Sequence, residues 1–338
     1  MLSLGLDIGG ANTKAVLFED SELDDYWLEH IPLWKNWENL REFLKKLENV
    51  SNPQKVGITM TGELSDVFES KREGVKKIVN TVEEIFSSDV YYLNLEGNLV
   101  SGKKAYSSPY KLSASNWVSS ALLVGSKYPN CLVIDAGSTT TDIIRVEDKK
   151  PKPEGWTDLE RLQTGELVYT GVLRTPAPYL KSKLSINGKS FGIAAEYFAN
   201  MADVYRTLDF LEVEDYTCET PDGRGKNKKE CMQRLARLFC SDVEEVGEGL
   251  IIKAAEEFRD AQISKIMDGI ERVKQIHNIS KTLPIIVTGI GGEILAKEAA
   301  KQVGFENIIN LRNIYNEVAA EMTPAYSLGL LVKEEANP

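Results

Sequence analysis

The chain has 338 residues, 42% hydrophobic and 27% charged, enough length and apolar content for two domains with separate cores. Its 40 basic and 51 acidic side chains leave a net charge of −11, with no basic block longer than the cluster at residues 226–229, which argues against nucleic-acid binding. No apolar run approaches a membrane span, no cationic leader precedes the first strand, and Cys131, Cys218, Cys231 and Cys240 lack CxxC spacing, the pattern of reduced thiols in a cytoplasmic protein.

In chain order, residues 2–8 and 14–18 read as strands. Residues 36–47 have helical spacing through Leu40, Phe43, Leu44 and Leu47. Residues 55–60 form a strand that runs into Thr61-Gly62-Glu63. A helix at 73–86 and a strand at 90–93 follow. Residues 113–126 read as a helix opened by a serine cap, with Asn116 near its start and Trp117 expected in the core. Strands at 132–134 and 142–146 come next, then a loop at 151–153. Residues 192–236 read as mostly helical, and 242–276 as one long helix or two shorter ones. A strand at 284–287 meets the glycine turn Gly289-Ile290-Gly291-Gly292, and helical character runs from 294 to 301. The last helix, 325–332, is expected to pack on a sheet. This pattern is α/β, with a first domain at 1–112, completed by the last helix if that helix crosses back. The second domain covers 113–338 and carries a helical insertion at about 192–276.

One repeat stands out. Leu6-Asp7-Ile8-Gly9-Gly10-Ala11-Asn12-Thr13-Lys14 aligns without a gap on Ile134-Asp135-Ala136-Gly137-Ser138-Thr139-Thr140-Thr141-Asp142, and Glu19-Asp20 falls on Glu147-Asp148. Each copy is an apolar strand, an acid, a glycine turn and a second strand. Glycine lets the backbone approach a ligand, and successive N–H groups make an anion site. The phosphate-cradling candidates are Gly9, Gly10, Asn12, Thr13, Gly137, Ser138, Thr139 and Thr140, with Gly289, Gly291 and Gly292 from the third turn. A carboxylate in such a loop is useful when it holds a divalent cation, so Asp7, Asp135 and Asp142 are the metal candidates, with Mg²⁺ as the expected ion. Lys14 aligns with Asp142: one copy offers a cation to phosphate, the other a second carboxylate. His30 and His277 are the only histidines, so acid–base work falls to carboxylates, lysines or substrate groups.

The order Asp-x-Gly-Gly, Asp-x-Gly-Ser-Thr-Thr, Thr-Gly-x-Gly-Gly resembles the sugar kinase/Hsp70/actin superfamily. That resemblance implies two ribonuclease-H-like domains around a central cleft. The segments at 58–66, 69–75, 114–117 and 164–176, with the Asp-Ile-Gly-Gly-Ala-Asn-Thr-Lys start, look like its hydantoinase/oxoprolinase branch. More narrowly they resemble archaeal ether-forming enzymes of methanofuran biosynthesis. That likeness implies a transferase: the phenol of γ-glutamyltyramine attacks 5-(aminomethyl)-3-furanmethanol diphosphate, and diphosphate leaves. Glu63 and Glu166 are then candidate bases or amine-binding groups, and Arg174 a candidate for the glutamyl carboxylate or the diphosphate. Thr61 and Asn116 are substrate-binding candidates. Two other readings stand beside this one: a small-molecule kinase using ATP and Mg²⁺, and a nucleotide-binding sensor. Against the kinase, Thr61-Gly62-Glu63 stands where a sugar kinase would carry its catalytic aspartate. The oligomeric state is left open.

Overall fold

The computed structural model describes residues 1–334. The first sheet grows from an apolar hairpin. In β1 (Leu2–Ile8), Leu4, Leu6 and Ile8 are fully buried, and β2 (Asn12–Glu19) pairs antiparallel with it, from Leu2 opposite Glu19 to Ile8 opposite Thr13. β3 (Glu22–His30) continues the hairpin at the sheet edge. The sequence reading lacks this strand because its acidic, mostly exposed residues carry little apolar signal. α1 (Trp37–Ser51) starts where the Asn36 side chain accepts the Glu38 N–H, and it buries the predicted Leu40, Phe43, Leu44 and Leu47. β4 (Lys55–Met60) lies parallel to β1. α2 (Lys71–Ile85) is capped by Ser70, β5 (Asp89–Leu93) lies parallel to β4, and β6 (Leu99–Ser101) closes the edge. The order is β3-β2-β1-β4-β5-β6.

A short α3 (Gly102–Ser107) leads toward α4 (Asn116–Lys127). α4 starts three residues later than expected, and no serine caps it. The hydroxyls that look like caps are used elsewhere: Ser113 donates to Glu63, and Ser115 bonds to Thr59 and to the Leu93 carbonyl.

The second sheet repeats the first. β7 (Cys131–Ala136) and β8 (Thr141–Glu147) correspond to β1 and β2. The next turn in each sheet, after β2 and after β8, runs through two left-handed residues, Asp20 and Ser21 at φ 46° and 78°, Asp148 and Lys149 at 49° and 69°. β9 (Lys150–Pro151) pairs with β8, so the expected loop at 151–153 begins as an edge strand, where proline costs no ladder bond. β10 (Leu167–Val168) also pairs with β8, after α5 (Asp158–Thr164). β13 (Ile285–Thr288) and β14 (Ile308–Asn310) complete the order β10-β8-β7-β13-β14. That order matches β3-β2-β1-β4-β5 strand for strand, so the ribonuclease-H-like sheet occurs twice.

Between β10 and β13 lie α6 (Ala177–Leu180), the hairpin β11 (Lys183–Ile186) and β12 (Lys189–Gly192), α7 (Met201–Thr207), α8 (Lys228–Arg237), α9 (Val243–Val246) and α10 (Glu248–Ile276). Residues 192–236 are therefore less helical than their composition suggests, with only α7 and α8 there. A buried ion pair, Arg234 to Asp203 at 2.7 Å, ties those two helices. Gly247 at φ 78° separates α9 from α10. After β13 comes one π-helical turn (Gly292–Ala296), then α11 (Lys297–Val303). α12 (Glu317–Glu321) precedes α13 (Thr323–Glu334). α13 packs on the first sheet so closely that a Cβ on Gly5 would collide with the Ala325 carbonyl.

The chain divides into two compact units. Of the described residues, one holds 1–133, 144–160 and 309–334, the other 134–143 and 161–308. Among the described residues no helix is long and apolar enough to cross a membrane.

Candidate active site

The first unit carries one loop set. β1 ends at Ile8, and the Gly9 N–H bonds to the Asn12 carbonyl at 3.0 Å, closing a tight loop. The loop rests on the turn after β4: the Thr61 and Gly62 N–H groups both donate to the Ile8 carbonyl at 3.0 Å. A Cβ on Gly62 would sit 3.0 Å from the Gly9 carbonyl oxygen, and one on Gly10 3.0 Å from the Ser65 hydroxyl. Asp7 is 9% exposed and stands opposite Lys14 in the β1–β2 register, on the same sheet face. The Lys14 amine donates to the Glu321 carbonyl at 2.8 Å, at the end of α12. The Asn12 amide oxygen meets His30 Nδ1 at 3.0 Å. Thr13 is fully buried in β2, and Thr61 and Asn116 are half-buried. Glu63 is 1% exposed, and burial raises its carboxyl above the usual carboxylate range. Trp117 is buried, 6.1 Å from the Trp156 ring, as expected of a core residue.

The second unit carries a loop of the same geometry. The Gly137 N–H bonds to the Thr140 carbonyl at 2.8 Å, matching Gly9 and Asn12 residue for residue along the repeat. Gly137, Ser138, Thr139 and Thr140 are half-buried. The segment after β10 clamps this loop: Val172 N–H donates to the Gly137 carbonyl, and Leu173 and Arg174 N–H to the Ser138 carbonyl, at 2.9–3.1 Å. A Cβ on Gly171 would come 2.5 Å from the Thr139 nitrogen. Beneath it, Gln262 of α10 donates to Thr170 Oγ1 and to the Gly171 carbonyl, both at 2.8 Å. The third glycine turn packs on the same loop. Gly291 N–H donates to the Ala136 carbonyl at 2.8 Å, and a Cβ on Gly289, at φ 83°, would fall 2.7 Å from Asp135 Oδ1. The second unit therefore brings Asp135, the 137–140 loop, Arg174 and Gly289 to Gly292 together.

Asp142 and Glu166 are engaged below that loop. Arg161 pairs with Asp142 at 2.8 Å and reaches the Glu166 carbonyl at 3.1 Å. Glu166 is 1% exposed; one oxygen accepts the Thr164 hydroxyl at 2.8 Å and the other lies 3.6 Å from His277 Nε2. Arg161 and Gln262 were not singled out from the sequence, His277 was read only as one of two histidines, and the serine at the start of 113–126 only as a helix cap. Of the first two, Gln262 left a trace there: a polar residue on the apolar stripe of Phe258, Ile263 and Ile266.

The hydantoinase/oxoprolinase family pattern matches residues 54–326. The chain is 36% identical over 340 residues to the (4-{4-[2-(gamma-L-glutamylamino)ethyl]phenoxymethyl}furan-2-yl)methanamine synthase of Methanocaldococcus jannaschii, with 100% of this chain and 99% of that protein covered. Among solved structures, nucleotide-free acetone carboxylase superposes with a TM-score of 0.63 at 10% identity, over 97% of this chain and 70% of the other. A ROK-family glucokinase from Streptomyces griseus gives 0.51 at 13%, over 99% and 100%. At such identities the two structures speak for the fold alone.

Proposed function

The chain belongs to the hydantoinase/oxoprolinase family, and from that premise we propose that it is the transferase that makes the aryl furanmethyl ether of methanofuran. The observation that carries this reading is identity spread over the whole length of a synthase named for that ether. The phenol oxygen of γ-glutamyltyramine forms a bond to the furanmethyl carbon. The bond from that carbon to diphosphate breaks, and the phenol proton is lost. The furan ring carries part of the positive charge on the departing carbon.

The chain supplies binding and electrostatics for a leaving diphosphate. We read two phosphate-binding sets, one in each unit: backbone N–H groups of the 9–12 loop with Lys14 in the first, and backbone N–H groups and hydroxyls of the 137–140 loop with Arg174 in the second. Among the described residues no three metal-ligating side chains cluster, so a Mg²⁺ here would be held by single carboxylates together with water and the diphosphate oxygens. Asp135 offers hard oxygens at a strand end, and the missing Cβ of Gly289 leaves space beside Oδ1. Asp7 offers the same chemistry in its own loop. When bound, the cation would neutralise charge gathering on the leaving group. Asp142 is better placed to hold its loop through Arg161 than to meet a cation. The free phenol ionises near pH 10, so its deprotonation needs help from a base or from the cation.

The test omits nucleotide. The protein, Mg²⁺, the furanmethyl diphosphate and γ-glutamyltyramine are incubated and products weighed by mass spectrometry. Ether and diphosphate in equal amounts support the synthase. No coupling, with ADP formed from ATP and a small hydroxyl acceptor, would replace it with the kinase.

A further inference from the structure

Glu63 is built differently from a group that meets substrate. One carboxyl oxygen accepts the Ser113 hydroxyl, and Oε2 has no hydrogen-bond partner among the described residues. α2 grips its backbone: a Cβ on Gly74 would strike the Glu63 carbonyl and lie 2.7 Å from its Cα. The charges that face Glu63 are Lys71, at the start of α2, and Asp158; these pair with each other at 3.6 Å. The carboxyl is thus enclosed rather than presented.

The residue after Ser113 is strained. Ala114 is 7% exposed and adopts φ 51°, a left-handed conformation that an alanine pays for. Both flanking serines are anchored to the strand end below. Ser113 holds Glu63, and Ser115 meets Thr59 Oγ1 at 2.9 Å and donates to the Leu93 carbonyl at 3.0 Å. Three hydrogen bonds of the serine hydroxyls, one before and two after, hold the strained residue in place. Asn116 and α4 follow at once. On the other side, Gly62 and Thr61 carry the Gly9-Gly10 loop through their bonds to the Ile8 carbonyl.

We propose that Glu63, Ser113 and the left-handed Ala114 form a latch that fixes the Thr61-Gly62 turn, and with it the first glycine loop, relative to Asn116. Glu63 is a positioning residue in this arrangement and takes no proton from the phenol. Where the latch is read through kinetics, it rests on the ether-synthase reading above.

Three variants test it, each checked for folding by circular dichroism: Glu63→Gln, Glu63→Ala and Ser113→Ala. The glutamine keeps an acceptor for Ser113 and a neutral group of the same shape. It should hold kcat within about threefold of wild type, whereas loss of a general base costs about 100-fold or more. Glu63→Ala and Ser113→Ala should each lower kcat about 10-fold to 100-fold with KM within about twofold, the signature of misplaced groups. The double variant should be no slower than the worse single one, because both act through one contact. Hydrogen exchange gives a second readout: both alanine variants should speed exchange at the Thr61, Gly62 and 114–117 amides, and Glu63→Gln should not.

A Glu63→Gln protein as inactive as Glu63→Ala makes Glu63 the base and overturns the latch. So does a Ser113→Ala protein with wild-type kinetics and exchange. If Glu63→Ala fails to fold, the other two variants decide. If wild type itself makes no ether, the proposed function falls, and the exchange pattern alone supports or overturns the latch.

Discussion

Arg161 holds Asp142 at 2.8 Å with 2% and 9% of the two side chains exposed, and the same guanidinium reaches back to the carbonyl of Glu166. Asp142 is the second residue of β8, just past the second glycine loop, so this pair fixes the loop's exit. A buried pair is weak evidence for net stability, but breaking one side leaves a charge in a site that water does not reach. Arg161→Ala should therefore destabilise the protein by about 3–5 kcal/mol. Replacing both partners by apolar residues of similar volume should recover most of that. Urea melts of the single and double variants check this. A single variant as stable as wild type would show that Asp142 has other support.

Asp135→Asn should leave the melting temperature nearly unchanged, because a half-buried residue near the end of β7 replaced by one of the same shape disturbs the core little. Its turnover at limiting Mg²⁺ should fall about 100-fold or more, the scale for losing a preorganised electrostatic partner of the leaving group. Turnover measured across a Mg²⁺ titration is the check. Wild-type rates at low Mg²⁺ would remove Asp135 from metal binding.

Lys14→Ala should act on a different quantity. Lys14 lies opposite Asp7, and its amine is held by the Glu321 carbonyl, which gives it a fixed place beside the first loop. Losing it should lower kcat while leaving the Mg²⁺ concentration for half-maximal rate unchanged. Full rescue by excess Mg²⁺ would mean that the lysine and the cation do the same work.

The Glu63 carboxyl predicts a pH effect on stability. Burial raises its folded-state value, so the folded protein binds a proton there more tightly than the unfolded chain does. That contribution is fully present below the unfolded carboxylate value and is lost as pH rises through the folded one. Glu63→Gln cannot ionise. The melting temperature of Glu63→Gln minus that of wild type should therefore grow with pH across this window. A difference that stays flat would mean that Glu63 is ionised without cost.

The paired hairpins were legible because their signal is local. Continuous apolar runs such as Leu132, Val133 and Ile134 give buried strands, and Asp-x-Gly closes each loop within four residues. The strand at 22–30 was not legible, since Glu22, Asp24, Asp25 and Glu29 on an edge strand carry no apolar alternation. Ser113 and Ser115 misled in an instructive way. A serine before an apolar helix reads as a cap, yet here the hydroxyls go to Glu63 and Thr59, fifty and fifty-six residues away. The partners of Arg161 and His277 left no trace, because a contact between separate segments has no period and no spacing to read. Glu63, Glu166 and Asp142 were picked out by position, but only the structure shows how deeply each is enclosed.

The close fit of Gly5 against the carbonyl of Ala325, and of Gly329 against the Phe18 ring, has a consequence for biosynthesis. In synthesis β1 is made more than three hundred residues before the helix that covers it. Until then the sheet face that carries Ser3, Gly5, Phe18 and Gly57 lacks its partner, and a nascent chain in that state is exposed to aggregation. The first unit thus starts folding first and finishes last, after the second sheet has been made. Shortening the chain before residue 323 would remove the cover from the sheet that holds Asp7, even though every loop residue of both repeats would still be present.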